Sequence, residues 1–154
     1  MLLDQMIELL NIDLRNEWKH LHFYLACASR LTGLHAHEYK EVFLKAAQSE
    51  MGHVTAFTDL IIGLGGVPSH EPAPYELFER PEYALKYALK MEEEVVANYV
   101  QRQKDTQRME EKDAVNAGWI DVFLDGQIQD SREDADHLKQ IIKGFPKPTD
   151  LFIC

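Results

Sequence analysis

Apolar residues recur along this chain at spacings of three and four rather than two, so the pattern predicts helices almost throughout and nearly no strands. A first helix is predicted over about 2–31, closed by Gly33, and a second over about 37–64, stopped by the breaker cluster Gly65-Gly66-Val67-Pro68. Residues 69–80 include Pro72 and Pro74 and read as an extended connection. A third helix starts near Pro81, a favourable first helical residue, and runs to about Met109. A fourth covers about 113–143, before Gly144, Pro146 and Pro148. Helices this long exceed those of an average globular domain. With two short turns and one long connection, they predict a single all-α domain spanning 1–154. Its architecture is an antiparallel four-helix bundle whose long connection crosses over between helices two and three.

Writing out the stripe of each helix exposes polar residues where leucines belong. The first stripe is Leu3, Leu10, Leu14, Glu17, Leu21, Tyr24; the second is Phe43, Ala46, Glu50, His53, Phe57, Leu60, Leu64. The third is Leu85, Ala88, Glu92, Val95, Tyr99, although Glu93 lies on the neighbouring stripe Leu89, Val96, Val100 and competes with Glu92. The fourth is Ile120, Phe123, Gln127, Asp130, Asp134, His137, Ile141. Every helix thus carries an inner carboxylate near mid-length, and an uncompensated buried charge exceeds what a domain's marginal stability tolerates. Two divalent cations would neutralise four carboxylates beside two neutral imidazoles. A mixed carboxylate and imidazole set suits iron, manganese or zinc better than calcium or magnesium. Taken singly, each residue has a plain structural reading as a bundle-end side chain, a buried ion pair or a solvated face. The order carboxylate, ExxH, carboxylate, DxxH across four helices is what points to metal.

Composition narrows the function classes. A formal net charge of -10 argues against nucleic acid or an anionic membrane as the main partner, and fits a cationic cargo. The two cysteines, Cys27 and Cys154, have no CxxC spacing, which excludes a zinc ribbon and a disulfide framework. No basic leader opens the chain and no apolar run is long enough to span a membrane, so a cytoplasmic location is expected. His20, His22, His35, His37 and His70 show no paired spacing at depth and read as surface or packing residues.

The stretches Asn16-Glu17 with Tyr24, Ser49-Glu50-Met51-Gly52-His53, Gly65-Gly66-Val67-Pro68, Met91-Glu92 with Tyr99, and Asp134-Ala135-Asp136-His137-Leu138 together resemble the ferritin-like di-iron carboxylate proteins. Among these the chain looks most like the bacterioferritins, over nearly its whole length. The resemblance implies two iron ions per chain, with Glu17 and His53 on one, Glu92 and His137 on the other, and Glu50 and Asp134 bridging. It implies a ferroxidase that oxidises Fe(II) with O2 or H2O2 and stores or detoxifies the iron. It further implies a homo-oligomer built on two-fold dimers, as in a twenty-four-subunit cage. Tyr24 matches a tyrosine that supplies an electron during oxidation; the alternative is a core tyrosine with a bonded hydroxyl. Met51 matches the methionine that ligates haem b at the dimer interface, while methionine is also a common gap filler.

Two features depart from the family pattern. Asp134 stands where the family has glutamate, one methylene longer, and the tail from Gly144 is short and proline-rich for the bacterioferritin fifth helix. The competing readings are a di-iron peroxide reductase or oxygenase that forms no cage, and a helical bundle with a vestigial or structural metal site. Rubrerythrins are similar in the bundle but usually carry a cysteine-rich iron module that this sequence lacks.

Overall fold

The computed structural model describes residues 1–145. Four helices carry most of them: α1 (Leu3–Arg30), α2 (Ala36–Gly63), α3 (Pro81–Thr106) and α4 (Ala114–Lys143). A single 3₁₀ turn at Glu111–Asp113 leads into α4, so α3 ends at Thr106 rather than near Met109. No strand occurs among the described residues. The expectation about the tail beyond Phe145, and Cys154 with it, falls outside the described residues.

Local chemistry explains the helix ends. The Gln5 side chain accepts the Leu2 N–H at the start of α1, and Pro81 is the first residue of α3. At the end of α2, Gly65 takes a positive φ of 84°, its N–H bonding Ile62 O while the Gly66 N–H bonds Ile61 O, both at 2.9 Å. That pair of bonds is a Schellman closure, and it needs a residue free to adopt the left-handed region.

Contacts running in opposite senses set the topology. From α1 to α3, Met1 meets Arg108, Asp13 meets Arg102 and Tyr24 meets Glu92, so residue numbers rise on one helix as they fall on the other. The same reversal relates α2 to α4, where Phe57 packs on Phe123 and Tyr39 on Phe145. All neighbouring helices are therefore antiparallel, and α2 and α3, which run the same way, need a connection as long as the bundle. The 64–80 segment is that connection, and α1 holds it along its length. Asn11 Nδ2 donates to Val67 O, Trp18 Nε1 to Ser69 O and Ala73 N to Arg15 O, and Thr32 N reaches Glu79 O at the far end.

The core is layered along the bundle axis. Phe23, Tyr24 and Phe43 form one aromatic layer, and Phe57, Tyr99 and Phe123 form another. Beyond the second layer Arg102 makes buried ion pairs with Asp13 and Asp105, each as short as 2.8 Å. The polar residues on the inner stripes lie between the two aromatic layers.

Candidate metal centre

Helix register brings Glu17, Glu50 and Glu92 to the middle of the bundle, each at most 1% exposed. Glu17 and Glu50 face one another across α1 and α2, and Glu92 arrives from α3. His53, one turn after Glu50, directs Nδ1 to Glu50 Oε2 at 3.2 Å and to Glu17 Oε2 at 3.4 Å. Its Nε2 lies 3.6 Å from Asp130 Oδ2 on α4, whose side chain is 57% exposed. Asp130 thus stands behind the ring, on the side opposite the Glu17 and Glu50 carboxylates, where a carboxylate can orient a ligating imidazole. The Tyr24 hydroxyl donates to Glu92 Oε1 at 2.8 Å. Glu93 is exposed, so Glu92 is the α3 carboxylate that faces the interior.

Two groups of oxygen and nitrogen atoms are close enough to surround an ion, Glu17 with His20 and Glu50, and Glu50 with Glu92 and Asp134; within each, all atoms lie within 4.8 Å of one another. Glu50 belongs to both. Both Glu17 oxygens and Glu92 Oε2 are buried without a hydrogen-bond partner. Among the described residues no lysine or arginine pairs with Glu17, Glu50, Glu92 or Asp134; the cluster's ion-pair partners are His20 and His53. Orphaned carboxylate oxygens in a dry core, set beside imidazoles, are the donor set a divalent transition metal takes. The residues present therefore fit such an ion.

The electrostatics reflect the crowding of acids. Burial, with Glu50 close by, pushes the Glu17 carboxyl up to about 8. Burial and the charges of Glu92 and Glu50 raise Asp134 to about 7. For His53, burial acts downward but the Glu17 and Glu50 carboxylates outweigh it, pushing the imidazole up to about 11. Burial also drives the Tyr24 hydroxyl upward, and Glu92 adds to it, which keeps that proton in place.

On α4 the structure differs from the predicted stripe. The buried face is Ile120, Leu124, Gln127, Ser131, Ala135 and Leu138, rotated by about one residue from the acidic stripe. Asp134 is consequently half-buried at the edge of that face, while Asp130 and His137 are exposed. The reason is size: Ser131 and Ala135 are small enough to lie against the neighbouring helices, and this turns the longer polar side chains towards the surface. His137 and Asp134 line a cleft of about 410 Å³ that reaches in to Tyr24, Glu50 and Glu92. A larger cleft of about 510 Å³ sits at the bundle end beside Gly33 and Phe145 and touches neither carboxylate group. Chemistry rather than size identifies the centre.

His20 corrects the reading from sequence. It is neither a surface residue nor an ordinary packing one, being fully buried, with Nδ1 3.5 Å from Glu92 Oε1 and 3.8 Å from Glu50 Oε1. The signal was there as Glu17-x-x-His20, the same spacing as Glu50-x-x-His53. Met51 points away from the centre and is 59% exposed on the outer face of α2.

Residues 7–146 match the family model of the ferritin-like domain. A comparison with curated proteins finds no match. Among solved structures the chain is similar to a ferritin-like, diiron-carboxylate protein from Bacillus anthracis str. Ames, with TM-score 0.80 and 25% identity over 91% of this chain and 96% of that one. It is similar in fold to the bacterioferritin of Rhodobacter capsulatus, described with a metal-free dinuclear site and a haem iron, with TM-score 0.75 and 19% identity over 91% of this chain and 84% of that one. BfrA of M. tuberculosis gives TM-score 0.77 and 19% identity over 90% of this chain and 83% of that one.

Proposed function

The chain belongs to the ferritin-like family, and from that premise we propose that it binds two iron ions inside its bundle and oxidises ferrous iron for storage or detoxification. The observation that carries the reading is the convergence of carboxylates and imidazoles from all four helices on one centre where both Glu17 oxygens and Glu92 Oε2 are buried without partners. The similar B. anthracis protein is named a diiron-carboxylate protein, which supports iron over other metals.

In this reading Glu17 and His53 would hold one ion and Glu92 and His137 the other, with Glu50 and Asp134 shared between them. The shared place of Glu50 in both atom groups supports its bridging part. When bound, two ferrous ions would each give up one electron, together supplying the two electrons that reduce O2 or H2O2. The protein's own part is positional and electrostatic. Carboxylates favour the higher oxidation state, and the two aromatic layers keep bulk water away from it. Tyr24 keeps its proton and donates a hydrogen bond to Glu92 Oε1, so that an electron passed from the ring to O2 or H2O2 would leave its proton on that carboxylate. Asp134 and His137 stand at the cleft through which iron enters, and the exposed carboxylates of Glu38 and Glu41 on its rim attract a cation. Met51, exposed on α2, is available to a haem b between two copies of a two-fold dimer.

Anaerobic Fe(II) titration followed by oxygen exposure, watched by near-ultraviolet absorbance, tests this. Saturation near two irons per chain with oxidation well above the buffer rate is the expected result. Oxidation no faster than buffer would leave the bundle without ferroxidase function.

A further inference from the structure

The six residues assigned to the iron pair leave one interior histidine without a role. We propose that His20 is itself a metal ligand, so that α1 and α2 face each other with two carboxylate–imidazole pairs, Glu17-x-x-His20 and Glu50-x-x-His53. This rests on the di-iron reading and deepens it: the centre takes a third imidazole, supplied by a helix from which the family pattern takes only a carboxylate.

Three observations carry the assignment. His20 is fully buried and neither ring nitrogen has a hydrogen-bond partner. A histidine kept for packing alone normally bonds at least one of those nitrogens to a carbonyl or hydroxyl, because an unbonded polar atom in a core is unfavourable. The Tyr24 ring lies edge-to-face with it, at 6.3 Å between centroids. Its Nδ1 lies 3.5 Å from Glu92 Oε1 and 3.8 Å from Glu50 Oε1. Those separations are long for hydrogen bonds. They fall within the span of roughly 3 to 4.2 Å that separates two ligand atoms of one octahedral ion with bonds of about 2.1 Å. Finally, Glu17, His20 and Glu50 already offer atoms within 4.8 Å of one another. The four other histidines set aside with it, His22, His35, His37 and His70, are all exposed.

The assignment also answers the weakness on α4. Asp134 is short and half-buried, and His137 lies at the surface of the cleft. His20, fully buried on α1, would supply a ligand beside the Glu50 and Glu92 carboxylates. An imidazole in that place favours retention of Fe(II) relative to an all-carboxylate site, because nitrogen is the softer donor.

The test is Co(II) loading under argon, with metal uptake measured by equilibrium dialysis and coordinated imidazoles counted as strongly shifted, exchangeable ring N–H signals in the proton NMR spectrum. Wild type is expected to take up two Co(II) per chain, and His20→Asn to lose one shifted signal while those of the other coordinated histidines persist. Circular dichroism confirms that the variant folds, and His20→Gln is the second variant should it not. Two bound Co(II) with every shifted signal retained in the variant would overturn the ligand assignment and leave the di-iron reading standing. A wild type that binds no Co(II) would overturn the di-iron reading itself, and the role of His20 with it.

Discussion

Glu92 and Glu93 are adjacent and chemically alike, yet only Glu92 faces the interior, where it accepts the Tyr24 hydroxyl. Glu92→Gln is therefore expected to lower metal uptake by about one ion per chain, and Glu93→Gln to leave it unchanged; dialysis against Co(II) reads both. Protonation supplies a second expectation. Glu17 is raised from 4.5 to about 8 and Asp134 from 3.8 to about 7, while His53 rises from 6.5 to about 11. In each case the folded, metal-free protein keeps a proton that the unfolded chain releases, so stability falls as pH rises through the interval between the two values. The three intervals all bear on neutral pH. The melting temperature of metal-free protein should thus drop between pH 6.5 and pH 8, and a flat or rising profile would contradict the cluster's electrostatics. A bound divalent ion reverses the slope, because its ligands must be deprotonated.

The segment after α2 lies close against α1. A methyl group on Gly66 would lie 2.6 Å from Ile7 Cγ2 on α1 and 3.0 Å from Ile61 Cγ2, both in the packed core. Gly66→Ala should cost about 1–3 kcal/mol in chemical denaturation, since the crossover must move away from α1 to make room. Between α1 and α3 the Arg102 guanidinium donates two bonds to Asp13 and one to Asp105, in a region that is nearly dry. Arg102→Met removes the buried cation shared by Asp13 and Asp105; Arg108 lies 3.7 Å from Asp105 alone, so Asp13 is stranded. A loss of roughly 3–5 kcal/mol is expected, as for other broken buried pairs. A cost below 1 kcal/mol would show that Asp13, already raised to about 6 by burial, simply takes up a proton.

At the scale of the molecule, the described residues contain no helix long and apolar enough to cross a membrane. Instead the outer faces of the helices carry isolated apolar side chains, Leu25 on α1, Met51 and Ile62 on α2 and Val122 on α4 among them. Assembly through such faces is the expectation for a chain of this family. Native mass spectrometry is expected to report a multiple of the two-fold dimer, and a strictly monomeric mass would remove both the cage and an interfacial haem.

The sequence by itself determined the number, order and approximate length of the helices, and the placement of Glu17, Glu50 and Glu92 on the inner stripes of the first three. These are consequences of a 3.6-residue period and of breakers such as Gly65-Gly66 and Pro81, which act within a few residues. It also determined that a crossover must run the length of the bundle, because a long connection separated two helices that run the same way. Only the tertiary structure decided which side of each stripe turned inward. On α4, Ile120 is compatible with two stripes, and the small side chains of Ser131 and Ala135 settled which one packs. That choice left His137 at the cleft and Asp134 at the edge. His20 shows the same division: the Glu17-x-x-His20 spacing stands in the sequence, but its burial depends on where α2 and α3 lie against α1.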